Sequence, residues 1–301
     1  MKKANAGKQA VMGRFRSAIV NQTARLTRVG RTGLAASAIR RATGRPGNTL
    51  PAFWFTGSPN FGDILSEVIL REVWGTEPVR VSASFSGKAL GAGSILHRAV
   101  PGDVVWGSGL IQRQKFDGRG IQFAVVRGPR TRSCIDGDVR EQYGDPGILL
   151  PTFYTPRPLG RRYDIGVVPH AVDKDAMALG DSEVLSIDIE EHDWRLTVDR
   201  IAACDIIISS SLHGIVVAEA YGIPAVWVQP TDGLKGGAFK FHDYYEGTDR
   251  DAKLADWHAG LTSLVACAKR PHGIDTQPLL GAVPQALGAL RQEVVFQGPT
   301  R

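Results

Sequence analysis

A run of three serines, a leucine, a histidine and a glycine, Ser209–Gly214, holds the residue types best suited to binding an anion. The run follows a short apolar stretch, Asp205–Ile208, that is typical of a buried parallel strand. It leads into His213–Tyr221, which predicts a helix. Backbone N–H groups at a helix start are free, and the helix dipole is positive there. Because open α/β sheets bind ligands beyond the carboxyl ends of their strands, we predict an anion site at this run.

The same order of strand, small-residue loop and helix recurs along the chain. The predicted strands are 51–55, 89–90, 103–106, 123–126, 164–168, 184–187, 205–208 and 225–228. The predicted helices are 64–74, 194–203, 213–221 and one that begins after Gln277. Apolar spacing marks the first helix, and Asp63 is predicted as its N-cap. Strands that alternate with helices form parallel βαβ layers, so the expected fold class is α/β.

Two such series predict two Rossmann-like domains that face a cleft. We expect the first domain at residues 49–158 and the second, which carries the anion site, at 159–292. Residues 1–48 are a basic leader. The tail, 293–301, contains a sequence close to a viral protease recognition site used in protein expression, and we leave it out of the fold prediction.

The net charge of +6 is concentrated in the leader. Residues 1–50 carry eleven Lys and Arg and no Asp or Glu, whereas the rest of the chain carries 25 basic and 30 acidic residues. Two interpretations of the leader stay open, a disordered solvated tail and an amphipathic helix on an anionic membrane surface. No nucleic-acid motif accompanies the basic residues, so nucleic acid is not an expected partner.

Other function classes are disfavoured by composition. The sequence has no apolar run of roughly 18 residues, which a membrane-spanning helix needs. It also has no apolar segment typical of a secretory signal. The three cysteines, Cys134, Cys204 and Cys267, lack metal-ligand spacing and suit a reducing cytoplasm. We therefore expect no metal site.

An ordered set of short motifs resembles the polysaccharide pyruvyl transferase family, and most closely the bacterial exopolysaccharide ketal pyruvate transferases. Each motif is common by itself, but the set follows the family's order across about residues 52–250. The motifs are Asn60–Leu65, Gly93–His97, Val105–Gly109, Val126–Pro129, Tyr143–Gly147, Val168–His170, Ser209–Gly214 with Ala218–Pro224, and Lys240–Tyr245.

This resemblance implies a fold similar to that of GT-B glycosyltransferases. It implies phosphoenolpyruvate as donor substrate, with no separate cofactor, and two hydroxyls of one sugar as acceptor. Many relatives have an arginine where this chain has Ser211, so one fixed cation of the donor site is missing. The exopolysaccharide branch is similar to this chain in having serine there.

Ketal formation requires donors for a trianionic substrate, an acid for the methylene carbon and a base for the sugar hydroxyls. The residues expected to bind the donor are Arg127, Ser209, Ser210, Ser211, His213 and Lys240, the last on a loop. The expected catalytic residues are His213 as acid, Asp63 as base, and His170. The residues expected near the acceptor or in the cleft are Asn60, Ser108, Asp145 and Glu219.

Each assignment has a simpler alternative. Arg127 could pair with a nearby surface carboxylate, Asp63 could only cap a helix, and Asp145 could only form a turn. His170 and His213 could be structural, Glu219 could only pack its helix, and Lys240 could be a solvated lysine.

The functional prediction is a ketal pyruvyl transferase acting on a lipid-linked exopolysaccharide or other cell-surface glycan. We expect it in the bacterial cytoplasm, at the inner membrane face if residues 1–48 bind lipid. The alternatives are a GT-B glycosyltransferase that uses a nucleotide sugar and a non-enzymatic protein that binds glycans or anionic lipid.

Overall fold

The computed structural model of the protein describes residues 48–57, 60–180, 183–191, 193–272 and 274–292. The predicted leader, apart from Asn48, and the predicted tail lie outside the described residues. Among the described residues, no helix combines the length and apolar character needed to cross a bilayer.

The first half of the chain forms a five-stranded parallel sheet in the order β2-β1-β3-β4-β6, beside a small two-stranded sheet of β5 and β7. Its elements are β1 (Thr49–Phe53), α1 (Phe61–Glu72), β2 (Glu77–Arg80), β3 (Ala89–Leu90), β4 (Val104–Trp106), β5 (Phe116–Asp117), β6 (Gln122–Val125), α2 (Pro129–Arg132) and β7 (Ile135–Asp136).

The second half forms another five-stranded parallel sheet, in the order β12-β11-β10-β8-β9. Its elements are β8 (Tyr163–Val168), β9 (Val184–Ser186), α3 (Trp194–Ala202), β10 (Cys204–Ser209), α4 (Leu212–Ala220), β11 (Ala225–Val228), α5 (Phe239–Gly247), β12 (Leu254–Ala255), α6 (Leu261–Cys267) and α7 (Gln277–Gln292). Short 3-10 helices lie at Leu96–Arg98, Pro146–Thr152, Ala171–Asp173 and Trp257–Ala259.

The mixed α/β fold with parallel sheets confirms the expected fold class. Each predicted strand overlaps an observed strand, because each is a short apolar run that ends in small residues. The assignment of two Rossmann-like domains in a GT-B arrangement, with the boundaries given above, stays a prediction.

Two local predictions were wrong. The N-cap of α1 is Asn60, whose side-chain oxygen accepts a hydrogen bond from the Gly62 N–H, so Asp63 lies inside the first turn. Lys240 lies on helix α5 and not on a loop.

A shared core joins the two sheets. Helix α4 is buried from Leu212 to Glu219, as expected for a helix that is apolar on all sides. It packs against the 3-10 helix Pro146–Thr152, which also packs against α1. One cluster of buried residues therefore includes Leu65 of α1, Leu149 of the 3-10 helix and Val216 of α4. This packing brings the loops after the strands of both sheets to one place.

A buried ion pair fixes the opposite end of the first sheet. Lys88 and Asp103 are fully buried and hydrogen-bonded to each other. Asp103 also accepts hydrogen bonds from the backbone N–H groups of Gly87, Lys88 and Val100, and the Lys88 ammonium donates to the Phe85 carbonyl. Burial lowers the pKa of Lys88 and raises that of Asp103, against the attraction between them.

We expect Asp103→Asn to lower the free energy of unfolding by about 3–5 kcal/mol, because it leaves a buried ammonium without its counter-charge. Asp117→Asn, which removes the fully exposed partner of Arg119, is the matched control and should leave the unfolding midpoint unchanged. Chemical denaturation of the two variants checks this. Equal effects of the two substitutions would contradict it.

Candidate functional site

Five ionisable side chains from four segments converge beyond the carboxyl ends of the strands. They are Asp63 of α1, His170 and Asp173 after β8, His213 of α4 and Lys240 of α5, and we call them the charged cluster. Lys240 is electrostatically coupled to Asp63, Asp173, His170 and His213. Lys240, His213 and Asp173 are buried, whereas Asp63 and His170 are half-buried at the rim. Four of the five come from the second half of the chain, and Asp63 comes from the first half.

Lys240 is the central cation of this cluster. Burial lowers its pKa to about 8, with a further lowering from Arg127 and an opposite effect from Asp63 and Asp173. Its ammonium lies 5.3 Å from the centre of the Phe241 ring. At neutral pH the ammonium is mostly charged, and it is held in a poorly solvated place where an anion would bind strongly.

Asp63 is a carboxyl group whose pKa lies close to neutral pH. Burial raises its pKa to about 7, although the charge of Lys240 opposes the shift. A carboxyl group with this pKa exists in both protonation states at neutral pH, which is what general acid–base catalysis requires.

His213 occupies the second position of α4, where its ring packs against glycine. A Cβ atom built on Gly62 would lie only 1.9 Å from His213 Nδ1, so the ring fits only because residue 62 has no side chain. Phe61 makes an edge contact with the same ring. Burial lowers the pKa of His213, Asp145 raises it, and Lys240 and Arg127 lower it further.

The far side of the His213 ring faces Asp145. His213 Nε2 and Asp145 Oδ2 are 3.9 Å apart, and within the described part of the chain neither buried atom has a hydrogen-bond partner. The other oxygen of Asp145 accepts a hydrogen bond from the Gly147 N–H and so caps the 3-10 helix. Asp145 therefore forms the predicted turn and also faces the histidine.

His170 presents a neutral imidazole. Its Nδ1 accepts a hydrogen bond from the Val172 N–H, so the ring proton sits on Nε2, which can donate. Burial and the neighbouring Lys240 lower its pKa to about 4. His170 thus suits hydrogen bonding to an oxygen better than carrying a charge.

The three serines have different environments. Ser209 Oγ lies within hydrogen-bonding distance of the carbonyl oxygens of Val168 and Ser211, which share its one proton, and it accepts from the Ser211 N–H, so it holds the turn. Ser210 Oγ accepts a hydrogen bond from the His170 N–H, which ties β10 to the loop after β8. Ser211 is the N-cap of α4, but its hydroxyl makes no capping bond. Ser211 is therefore the serine best placed to contact a ligand.

Arg127 is fully buried, and all three nitrogens of its guanidinium group donate hydrogen bonds to protein groups. Nε donates to Asp243, Nη1 to Ser94 Oγ and Nη2 to the Leu110 carbonyl, at 2.6–2.9 Å. This geometry matches the simpler alternative of a paired arginine, with a buried carboxylate instead of a surface one. Direct donor binding by Arg127 stays a prediction, and the contacts do not favour it.

The remaining predicted residues also make structural contacts. Asn60 caps α1, and Ser108 Oγ donates to the Gly93 carbonyl. Glu219 lies two turns from the start of α4, where it accepts hydrogen bonds from both terminal nitrogens of Arg250 and from the Tyr244 hydroxyl.

Sequence reasoning missed Asp173 and Asp243. Asp173 lies three residues after His170 and is fully buried within the cluster. Asp243 lies three residues after Lys240, and it accepts hydrogen bonds from Arg127 Nε and from both the N–H and the hydroxyl of Thr131. Asp243 was missed because Lys240 was predicted on a loop. The two residues lie three apart on one helix, and this helical spacing was not recognised.

Three cavities on the described residues lie away from the charged cluster. Cavities of about 420, 590 and 360 Å³ lie at the connector 156–162, between β6 and α7, and beside the C-terminal end of α4. The last is lined in part by Glu219. The described residues contain no group of three His, Cys, Asp or Glu side chains placed to hold a metal ion. The expectation of a metal-independent reaction stays a prediction.

Comparison with known proteins relates these residues to a family. A family model described as Polysaccharide pyruvyl transferase matches residues 104–232, which include Arg127, Asp145, His170 and the serine run. Over these residues the chain is similar to the polysaccharide pyruvyl transferase family. This match supports the family predicted from the sequence.

A similar curated protein is the uncharacterized protein L143 of Acanthamoeba polyphaga mimivirus. It is 34% identical over 176 residues, which are 53% of this chain and 60% of that protein. The chain thus matches about three fifths of the length of this relative.

We expect Gly62→Ala to lower turnover by at least about tenfold, because the added methyl group displaces the His213 ring and small displacements of reacting groups are costly. Gly281→Ala is the matched control, since a Cβ there meets open space on helix α7. It should stabilise the helix by about 0.5–1 kcal/mol and leave turnover unchanged. Steady-state kinetics and thermal unfolding of both variants check the prediction. Full activity of Gly62→Ala would contradict it.

We expect Asp63→Asn to lower turnover by about 100-fold or more, as for loss of a general acid or base. It should also become more stable relative to wild type as pH rises from about 4 to about 7. Between these values the Asp63 carboxyl ionises only in the unfolded chain, because its pKa is about 7 in the folded state, so ionisation favours unfolding.

The measurement is the difference in unfolding midpoint between variant and wild type at each pH. Glu72→Gln, at an exposed position on the same helix, is the control and should show no such trend. A difference for Asp63→Asn that does not change with pH would contradict the predicted burial effect.

Proposed function

We propose that the protein transfers pyruvate from phosphoenolpyruvate to two hydroxyls of one sugar in a glycan and releases phosphate. The observation that carries this proposal is Lys240, a buried cation beside the start of α4 and among acid–base groups, in a chain similar to the pyruvyl transferase family. A trianionic donor would replace the missing solvent around Lys240, and the free N–H groups at the start of α4 would take its phosphate or carboxylate.

The proposed reaction requires proton transfers that this set of residues can carry out. The diol loses two protons; one ends on the methylene carbon of the donor, which becomes a methyl group, and the other ends on phosphate. The C2–O bond to phosphate breaks, and two C2–O bonds to the sugar form. One group must therefore accept protons from hydroxyls while another gives a proton to carbon, without net consumption of acid.

Asp63 and His213 are the groups we assign to these two tasks. Asp63, with a pKa of about 7 and a half-buried position, accepts hydroxyl protons at the rim. His213, at the start of α4 and facing Asp145, delivers a proton to carbon. Burial lowers the pKa of His213, whereas a bound trianion beside it would raise that pKa and supply the protonated form.

Donor binding is assigned to Lys240, Ser211, the N–H groups of α4 and the His170 Nε2–H. Because Ser211 stands where many relatives are expected to have arginine, Lys240 carries more of the charge neutralisation in this chain. Asn60 and Asp63, both half-buried, mark the side from which the sugar would enter.

The alternative of a nucleotide-sugar glycosyltransferase is less well supported. That reading assigns the ribose to Glu219, but both carboxylate oxygens of Glu219 accept hydrogen bonds from Arg250, and one also accepts from Tyr244. A ribose would have to displace a buried bidentate pair.

A lipid-linked glycan at the inner face of the bacterial cytoplasmic membrane is the acceptor that we propose. The support is the basic segment at residues 1–48, which suits an anionic membrane surface. Binding of the full chain to anionic and neutral vesicles, compared with a chain that begins at residue 49, would test this part separately.

Phosphate release from phosphoenolpyruvate in the presence of candidate glycans is the decisive experiment. Mass spectrometry should show the glycan gaining the mass of pyruvate less water. We expect Lys240→Met to weaken binding of phosphoenolpyruvate by about 10- to 100-fold, through loss of charge-assisted bonds.

Lys269→Met is the control, because Lys269 is exposed and outside the charged cluster. Stabilisation of the protein by nucleotide sugars and not by phosphoenolpyruvate would favour the glycosyltransferase instead. Binding of phosphoenolpyruvate that is unaffected by Lys240→Met would contradict the proposed donor site.

A further inference from the structure

Asp173 has no role in the function proposed above, yet it is fully buried inside the charged cluster. It is the last residue of the 3-10 helix Ala171–Asp173, and its N–H donates to the His170 carbonyl over 2.8 Å. A buried carboxylate requires compensation from neighbouring donors or cations. Its partners therefore indicate what it does.

Only one of the two oxygens of Asp173 is hydrogen-bonded within the described residues. Oδ1 accepts a hydrogen bond from the Thr231 hydroxyl, and Oδ2 is buried with no hydrogen-bond partner. The remaining compensation comes from charge, since Asp173 raises the pKa of both Lys240 and His170.

Thr231 begins the segment 231–238 that leads from β11 into helix α5, which carries Lys240. This segment crosses to the first half of the chain. A Cβ on Gly236 would lie 2.0 Å from the Ile111 carbonyl oxygen, and Gly236 has a φ of 78°, which favours glycine. Asp173 thus contacts the approach to α5 through Thr231 and influences Lys240 through its charge.

We propose that Asp173 is a positioning residue that acts through Lys240, keeping the lysine charged and in place to bind the anionic donor. This inference rests on the proposed function. The hydrogen bond to Thr231 fixes the segment in front of α5, and the negative charge of the side chain favours the protonated ammonium of Lys240. His170, on the same turn, is oriented by the same short helix.

Other groups that face Lys240 act differently from Asp173. Arg127 repels the ammonium, and Asp63 attracts it but titrates near neutrality itself. The pKa values of His170 and His213 are lowered, so neither ring competes as a cation in the absence of ligand. Asp173 is therefore the counter-charge whose removal shifts the Lys240 pKa without removing a group that we assign to catalysis.

The test is the pH dependence of phosphoenolpyruvate binding, measured by calorimetry between pH 6 and pH 9. Binding by wild type should weaken as pH rises through about 8, where Lys240 loses its proton. We call this decrease in affinity the alkaline limb of the pH profile. Asp173→Asn keeps an acceptor for Thr231 but removes the charge. We expect it to move this alkaline limb down by at least about half a pH unit, because a nearby negative charge favours the protonated ammonium.

Thr231→Val is the matched control, because it breaks the hydrogen bond and keeps the charge. It should change the affinity or the stability without moving the limb, and Asp173→Glu should restore the limb of wild type. A limb that stays in place in Asp173→Asn, or that Thr231→Val moves equally, would overturn the inference.

Asp173→Ser is a second neutral variant that can still pair with the Thr231 hydroxyl. If neither neutral variant folds, the charge serves the fold and the inference is wrong. If wild type itself neither binds phosphoenolpyruvate nor releases phosphate from it, the proposed function fails first, and the inference falls with it. Failure of the inference alone shows as normal wild-type binding with an unmoved limb in Asp173→Asn.

Discussion

The buried pair between Arg127 and Asp243 is the contact on which the arrangement of the site depends. Arg127 follows β6 of the first sheet, and Asp243 lies on α5 of the second half, three residues after Lys240. Asp243 also accepts two hydrogen bonds from Thr131, and Gly128 approaches the Asp243 carbonyl so closely that a Cβ could not fit. Because both partners are buried, loss of either one would leave an uncompensated charge. The pair therefore fixes the position of Lys240 relative to the first sheet.

The chemistry of the charged cluster follows from burial more than from any single pair. Low solvation raises the pKa of Asp63 to about 7 and lowers that of Lys240 to about 8. The same effect lowers the pKa values of His170 and His213. A nearby anion would raise the pKa values of Lys240, His170 and His213, which burial lowers, and would raise that of Asp63 further. The charged cluster thus combines a poorly solvated cation with groups that titrate near neutral pH, which is the property on which the proposed function rests.

The residues around the cluster show how close packing and chemistry are combined. Gly62 leaves room for the His213 ring, Ser209 closes the turn before α4, and Ser210 holds the His170 backbone. These contacts involve backbone and small side chains. A shift of Gly62, Ser209 or Ser210 would therefore also shift His170 or His213. The half-buried residues Asn60 and Asp63 lie at the rim of the cluster, on the side where the proposed function places the acceptor.

The sequence by itself determined the parallel α/β fold and the similarity to the pyruvyl transferase family, because short apolar runs that end in small residues form strands and the ordered motifs are specific. It also identified Asp63, His170, His213 and Lys240 as residues with a chemical role to test. Tertiary structure decided which residue caps α1, that Lys240 lies on a helix, and that Arg127 and Glu219 have protein partners. It also revealed Asp173 and Asp243. Burial and pairing depend on segments distant in the chain; Arg127 and Asp243, for example, are 116 residues apart. Local patterns carry no information about such contacts, and the protonation states that burial sets were therefore out of reach of the sequence.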